Sequence, residues 1–271
     1  MALAGKAASA QTKTDLSGEP AAVSVAATLI AVVIAVLSTS FLSGIFGMLG
    51  GLILMGLLLL VLPVPAAMSL HAVTQMTSNG WRALLWHRLI LWRVMPGYIF
   101  GSSIAFGILA WVSFQPPTAW VYIGLGIVPL LAVAVPAHIA PDIRRPYAST
   151  ILGFLVMSIQ LLSGVAGVLV DIFFFRTDLD RRQIVATKAF SQLIGHVFRL
   201  TYFTLVATHS DVNTEIPIWV FGVSIVCAVA GTSLARLALE RLTNRAFLMW
   251  TRWLGVTVGC VYLARGLYLM M

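Results

Sequence analysis

After a polar stretch of about twenty residues, the chain turns apolar and stays so almost to its end. Apolar segments cover roughly 21–43, 44–62, 66–83, 94–112, 118–137, 147–163, 164–175, 183–207, 216–236 and 246–269. Strict alternation is absent, so these segments predict helices and not the strands of a transmembrane barrel. The run AAVSVAATLIAVVIAVL alone approaches the ~20 residues that a helix needs to cross a bilayer. Two stretches are less regular. Residues 21–62 run on without a polar connector and are broken only by Gly and Ser clusters; residues 147–175 do the same. Such clusters predict a helix break or a close approach between helices, here at Gly44, Gly47, Gly50, Gly51, Gly164 and Gly167. About 29 residues cannot cross twice at ~20 residues each, so 147–175 predicts a hairpin or broken helix with short arms.

Two polar ribbons interrupt the pattern: HAVTQMTSNGWR at 71–82 and KAFSQLIGHVFR at 188–199. They share Ala72/Ala189, Gln75/Gln192 and Arg82/Arg199, with His71/Lys188, Thr74/Ser191 and Trp81/Phe198 similar in kind. Upstream, FLSGIFG at 41–47 matches LLSGVAG at 161–167. The chain thus reads as an internal duplication. A disordered leader at 1–20 precedes one repeat at 21–137, a cytoplasmic linker at 138–146 and a second repeat at 147–270.

Charge then orients the copies. Arg82, Arg88 and Arg93 follow the first ribbon, whereas THSDVNTEI after the second carries Asp211 and Glu215 and no Lys or Arg. Short cytoplasmic loops are enriched in Lys and Arg, so the first ribbon descends to the cytoplasm and the second ascends from it. SFQPP at 113–117 is uncharged, and its counterpart RLALERLTNR carries Arg236, Arg241 and Arg245, which agrees. The fold class expected is an all-α integral membrane bundle of two inverted-topology repeats with broken or short helices at the centre. In such folds the ligand binds near the midplane, where the repeats meet.

Composition narrows the function. Of 271 residues, 60% are hydrophobic and 10% charged, against roughly 25% charged in soluble domains. A net charge of +8 suits basic loops beside anionic headgroups and gives no reason to invoke nucleic acid. The leader has no apolar core and does not read as a secretory signal. Cys227 and Cys260 lie in apolar runs, which implies neither a disulfide nor a metal site. No P-loop, Gly-x-Ser-x-Gly elbow or His-Glu-x-x-His is present, so the chain does not read as an enzyme, and no cofactor is expected.

On a helix, 71, 75, 78, 79 and 82 share one face, as do 188, 192, 195, 196 and 199. Those faces nominate Thr74, Gln75, Asn79, Lys188, Ser191, Gln192, His196 and Arg199 as donors to an anionic ligand. The plainer reading of the glutamines is helix-to-helix hydrogen bonding, worth only about 0.6 kcal/mol on average in membranes. Arg82 is read as an interfacial anchor, since Arg88 and Arg93 follow it. For Arg199, snorkelling and burial against a polar cavity are both open. Asp171, in VLVDIFFF, stands either in an ion pair with Arg176 near the cytoplasmic surface or as a coupling residue, with His71 the other coupling candidate. The tryptophans read as an aromatic belt. A rival reading is an intramembrane haem or metal redox protein ligated by His71 and His196.

These features resemble the sulfite exporter TauE/SafE family. The resemblance rests on SGIFGMLGG at 43–51, then Pro63, the ribbon HAVTQMTSN and the recurrence of the pattern in the second half. Where that family carries Gly-x-Gly-Gly-Gly, this chain reads GMLGG. The resemblance implies a secondary carrier of sulfite, a sulfonate or a related small sulfur anion. It would work without ATP in a multi-pass, bacterial-type inner membrane, with that anion and the lipid bilayer as its partners.

The orientation is open to test by single-cysteine labelling from outside, on a background lacking Cys227 and Cys260. A cysteine at Asn213 should label from outside, as should one at 113–117, whereas positions in 83–93 and 236–245 should not. Access to position 213 from the cytoplasm alone would overturn the inverted arrangement.

Overall fold

The computed structural model describes residues 18–46, 49–136, 139–174, 176–206, 216–239 and 244–271. Most of the leader, Gly47 and the expected external loop at 208–215 lie outside the described residues. Regular structure among the described residues is helical throughout. In chain order the α-helices are α1 (Gly18–Phe46), α2 (Leu49–Val61), α3 (Val64–Leu85), α4 (Met95–Trp111) and α5 (Thr118–Ala134). Then come α6 (Ala148–Ser163), α7 (Gly167–Ile172), α8 (Arg181–Thr201), α9 (Ile218–Leu239) and α10 (Asn244–Tyr268). Each apolar segment predicted from the sequence corresponds to one of them.

Local chemistry sets the boundaries that matter for the site. Pro63 caps α3 and Pro65 lies in its first turn, where a missing N–H costs no helical bond. The Asp180 carboxylate accepts from the Arg182 N–H at 2.7 Å and caps α8. Gly164 ends α6 with φ +82°, a left-handed conformation that glycine adopts without a Cβ clash.

The two irregular stretches both turn back on themselves. The backbone of Gly50 lies against Thr39 and Ser43, since a Cβ there would sit 2.0 Å from the Thr39 carbonyl oxygen. In a straight helix residues 39 and 50 would stand about 16 Å apart, so α2 folds back along α1. The second reversal is tied at its base. The Ile143 N–H donates to the Phe173 carbonyl at 3.1 Å, and Arg144 bridges Asp142 and Asp178. The chain entering α6 and the chain leaving α7 therefore sit together, and 148–172 is a hairpin with its tip at Gly164. Outside the bundle, the hydrogen-bonded Arg144 guanidinium lowers the Asp142 carboxyl below its ordinary pKa.

Helix packing follows small residues. α1 lies on α9, α4 on α6, α5 on α10 and α3 on α8. A Cβ at Gly153 would fall 2.1 Å from the Tyr98 carbonyl oxygen, and one at Gly101 1.9 Å from that of Thr150, so α4 and α6 touch backbone to backbone. Gly44 lies inside α1 and does not break it; its role is close approach to Thr232 and Ala235 of α9. The pairings survive an exchange of α1–α5 for α6–α10: α1·α9 becomes α6·α4, α2·α10 becomes α7·α5, and α3·α8 and α5·α10 map onto themselves.

The outer surface is apolar. Ile34, Leu60, Phe100, Ile108, Ile151 and Val226 are all exposed, on five different helices. So continuous an apolar surface suits lipid and not water. Two helical stretches, Trp92–Trp111 and Ile218–Ala235, are long and apolar enough to cross a membrane. Trp111, Trp120 and Trp219 are exposed at helix ends, as an interfacial belt requires.

Substituting Gly153 by Val should separate α4 from α6 and cost about 1–3 kcal/mol or more, as over-packing does. The same change at Gly107, where a Cβ meets nothing within 4 Å, should be nearly neutral. Thermal unfolding of the two purified variants in one detergent checks the difference.

Candidate functional site

The two polar ribbons meet because α3 packs on α8. On α3, His71, Gln75, Ser78 and Asn79 are buried; on α8, Gln192, Gly195, His196 and Arg199 are. The shared helical face is therefore the buried face in both. Between them, and between the reversals of the two hairpins, lies a cavity of ≈ 20 Å³ lined by Gly51, His71, Gln75, Gln160, Gln192 and His196, and by Val165, Ala166 and Gly167. That volume holds about one water.

Arg199 organises this centre. It is 0% exposed and is the largest fully buried side chain. One guanidinium nitrogen donates to the Gly164 carbonyl at the tip of the second hairpin, and the other to His71 Nδ1. The opposite nitrogen of the same ring, Nε2, bonds the Gly51 carbonyl at 2.7 Å. A carbonyl can only accept, so His71 carries its proton on Nε2 and offers Nδ1 to Arg199. His71 is thereby a neutral strut between the first hairpin and the buried cation. His196 is its neighbour, with ring centroids 5.8 Å apart. Gln160 Nε2 donates to His196 Nδ1 at 3.0 Å, which leaves Nε2 as that ring's donor. Gln75 Nε2 is buried without a partner.

Of the residues nominated from the sequence, Gln75, Gln192 and His196 line the cavity together with His71, and Arg199 adjoins it through His71. Thr74 and Ser191 are buried, but each hydroxyl donates to the carbonyl four residues back in its own helix, at 2.9 and 2.8 Å. Asn79 lies one turn beyond Gln75 and accepts from Arg82 Nη2 at 2.8 Å. Lys188 is ion-paired with Asp171, so the partner of Asp171 is Lys188 and not Arg176. Arg82 also departs from the expected lipid-facing anchor. Its guanidinium turns inward to the Ser43 carbonyl at 3.3 Å and to Asn79 Oδ1 at 2.8 Å. Gly51 and Gly167 line the cavity, and Gly164 forms the tip above it.

Two contributors were missed. Gln160 was passed over as part of an apolar segment, although a lone amide in ILGFLVMSIQLLSG was signal enough. Tyr202 donates to the carbonyls of Leu109 at 3.0 Å and Phe114 at 2.6 Å, and so pins the far end of α8 to the end of α4. It lies in a π-helical turn, Tyr202–Val206, immediately beyond α8.

The donor set does not suit a metal or haem on His71 and His196. Both nitrogens of His71 are engaged and a guanidinium stands against one of them. Among the described residues no group of three His, Cys, Asp or Glu is placed to hold an ion. What remains is a donor-rich, cation-backed cavity inside a helical bundle whose surface suits lipid, which defines a membrane protein built around a small anion-compatible site. A family model described as sulfite exporter TauE/SafE matches residues 29–260, and the chain belongs to that family. It is accordingly an integral membrane transporter of the sulfite-exporter type. No curated protein and no solved structure matched the chain.

The left-handed tip is testable through stability. Gly164→Ala forces an L side chain to φ +82° and sets a Cβ 2.9 Å from Met68 Sδ. A loss of roughly 1–2 kcal/mol is expected from the backbone alone. A parental unfolding midpoint would show that the tip does not need glycine.

Proposed function

We propose that this protein is a secondary carrier that moves a small sulfur oxyanion, sulfite being the reference case, across a bacterial-type inner membrane without ATP. The observation that carries the reading is the burial of Arg199 beside the donor-lined cavity, with no carboxylate of the described residues paired to it. A cation within a membrane costs at least ~2.5–3.5 kcal/mol at a helix centre. A transient anion in the adjoining cavity would offset that cost, and the cation would offset the dehydration of the anion. Gln75 and Gln192, one from each ribbon, would supply donors, with His196 Nε2–H beside them. α7 has only six residues and so a weak dipole; the N-terminal turn of α2, which lines the cavity through Gly51, would add to the positive potential of Arg199. The cavity holds about one water, so sulfite, with four heavy atoms, already requires the hairpins to part, and a sulfonate more so.

The carrier is read as two inverted halves, 21–137 and 147–270, joined by a cytoplasmic linker at 138–146. The exchange symmetry of the helix pairings supports this, as does a matched set of contacts. Gly51 and Asp171 occupy equivalent positions, and so do His71 and Lys188; each pair is bonded, His71 to the Gly51 carbonyl and Lys188 to the Asp171 carboxylate. Inverted halves of this kind give alternating access by rocking about a shared site. Asp171 is the coupling candidate, since its carboxylate holds Lys188 within the hairpin contact.

Transport of radiolabelled sulfite into proteoliposomes tests the assignment. Gln75→Leu and Gln192→Leu should each reduce uptake to the background of protein-free vesicles while the protein still inserts, because Leu suits a helix in lipid. Arg199→Gln should weaken binding far more than Arg88→Gln. Parental rates in both glutamine variants would make the ribbons helix-packing contacts and remove the site.

A further inference from the structure

The two halves do not use their matched positions alike. Aligning Ser43-Gly44 with Ser163-Gly164, and Gln75 with Gln192, sets Ser40 against Gln160, Asn79 against His196 and Arg82 against Arg199. In the second half these positions bond one another or the hairpin tip, with only Arg199 Nε left over: Gln160 bonds His196, and Arg199 bonds the Gly164 carbonyl and His71. In the first half they are left open. The Ser40 and Ser43 hydroxyls and Asn79 Nδ2 have no partner, yet these residues are 0%, 0% and 1% exposed. Serine is two heavy atoms shorter than the glutamine it replaces, so the contact made by Gln160 has no counterpart at Ser40.

Arg82 stands at this open place. Its Nη1 donates to the Ser43 backbone carbonyl at 3.3 Å and its Nη2 to Asn79 Oδ1 at 2.8 Å, which holds the unpaired amide nitrogen of Asn79 near the guanidinium. None of the ion pairs among the described residues involves Arg82. Buried donors without acceptors are costly and are rarely left so. Every open group can donate and the neighbouring charge is positive, which suits an oxyanion and opposes a metal cation.

We propose that Ser40, Ser43, Asn79 and Arg82 form a second anion station, distinct from the central cavity and displaced from it along α3 toward its C-terminal end. Asn79 follows Gln75 by four residues, so the stations are about 6 Å or more apart along the helix. Gln75 Nε2, also unpartnered, belongs to the cavity station. The ligand class is the one proposed for the cavity, a small oxyanion, and the inference rests on that carrier reading. Two stations at this spacing let one ion be handed on as another enters, so that neither site has to release a fully desolvated ion unaided.

Equilibrium dialysis of radiolabelled sulfite against the purified full-length protein tests the second station. The parent should bind two ions per chain. Arg82→Gln should bind one, and so should Ser40→Ala combined with Ser43→Ala, which keeps two good helix formers in place if the arginine variant does not fold. Gln192→Leu should also bind one, and its combination with the serine pair none. A parent that binds one ion, lost in Gln192→Leu and kept at parental affinity in the arginine and serine variants, would overturn the second station and leave the carrier reading standing. A folded parent that binds no sulfite would overturn both.

Discussion

The buried guanidinium of Arg199 is the constraint on which the centre depends. It joins three elements distant in sequence: α8, which carries it; the tip of the α6–α7 hairpin, through the Gly164 carbonyl; and α3, through His71. His71 passes the connection on to Gly51 and so to the α1–α2 hairpin. Gly164 must be left-handed to present its carbonyl, and His71 must be neutral to accept on Nδ1. Displacing that one charge would release the Gly164 tip and His71 together, although Lys188–Asp171 and Arg144–Asp178 still hold the α6–α7 hairpin.

The glycines divide by what they permit. Gly101 and Gly153 bring two backbones into contact, Gly44 seats α1 against α9, and Gly51 makes room for the Gln75 amide, whose Cδ would lie 3.1 Å from a Cβ there. The last case links packing to function: a side chain at 51 would crowd the cavity from the hairpin side, against an amide that has no other partner. Close packing and site access thus depend on the same type of residue for different reasons.

Much of this was legible in the sequence, because the signal of a helix in lipid is strong and local. All ten segments were placed, and the short arms of 147–175 followed from length alone. Gln75, Gln192 and His196 stood out as polar groups at helical spacing in apolar text, and they reach the cavity. What did not show was the partner of each group. Thr74 and Ser191 looked like donors to a ligand, yet a hydroxyl in a helix can bond its own backbone, and both do. For Asp171 an ion pair with Arg176 was one of the readings left open, and the hairpin brings Lys188 to it instead. Arg82 was assigned to the surface by its basic neighbours, while the acceptors that hold it come from Ser43, thirty-nine residues earlier, and from Asn79. Pairings of this kind depend on tertiary proximity, which one-dimensional spacing does not encode.

The α6–α7 hairpin has a consequence for biogenesis. Its tip carbonyl at Gly164 receives its donor from residue 199, and its base is closed by Arg144 and Asp178. A ribosome must therefore release a further thirty-five residues beyond the tip before the donor exists. Hydrocarbon offers no substitute for it. The nascent hairpin accordingly has to wait at the headgroups, or within the insertion machinery, until α8 arrives. Its two arms and α8 then enter the bilayer as one unit.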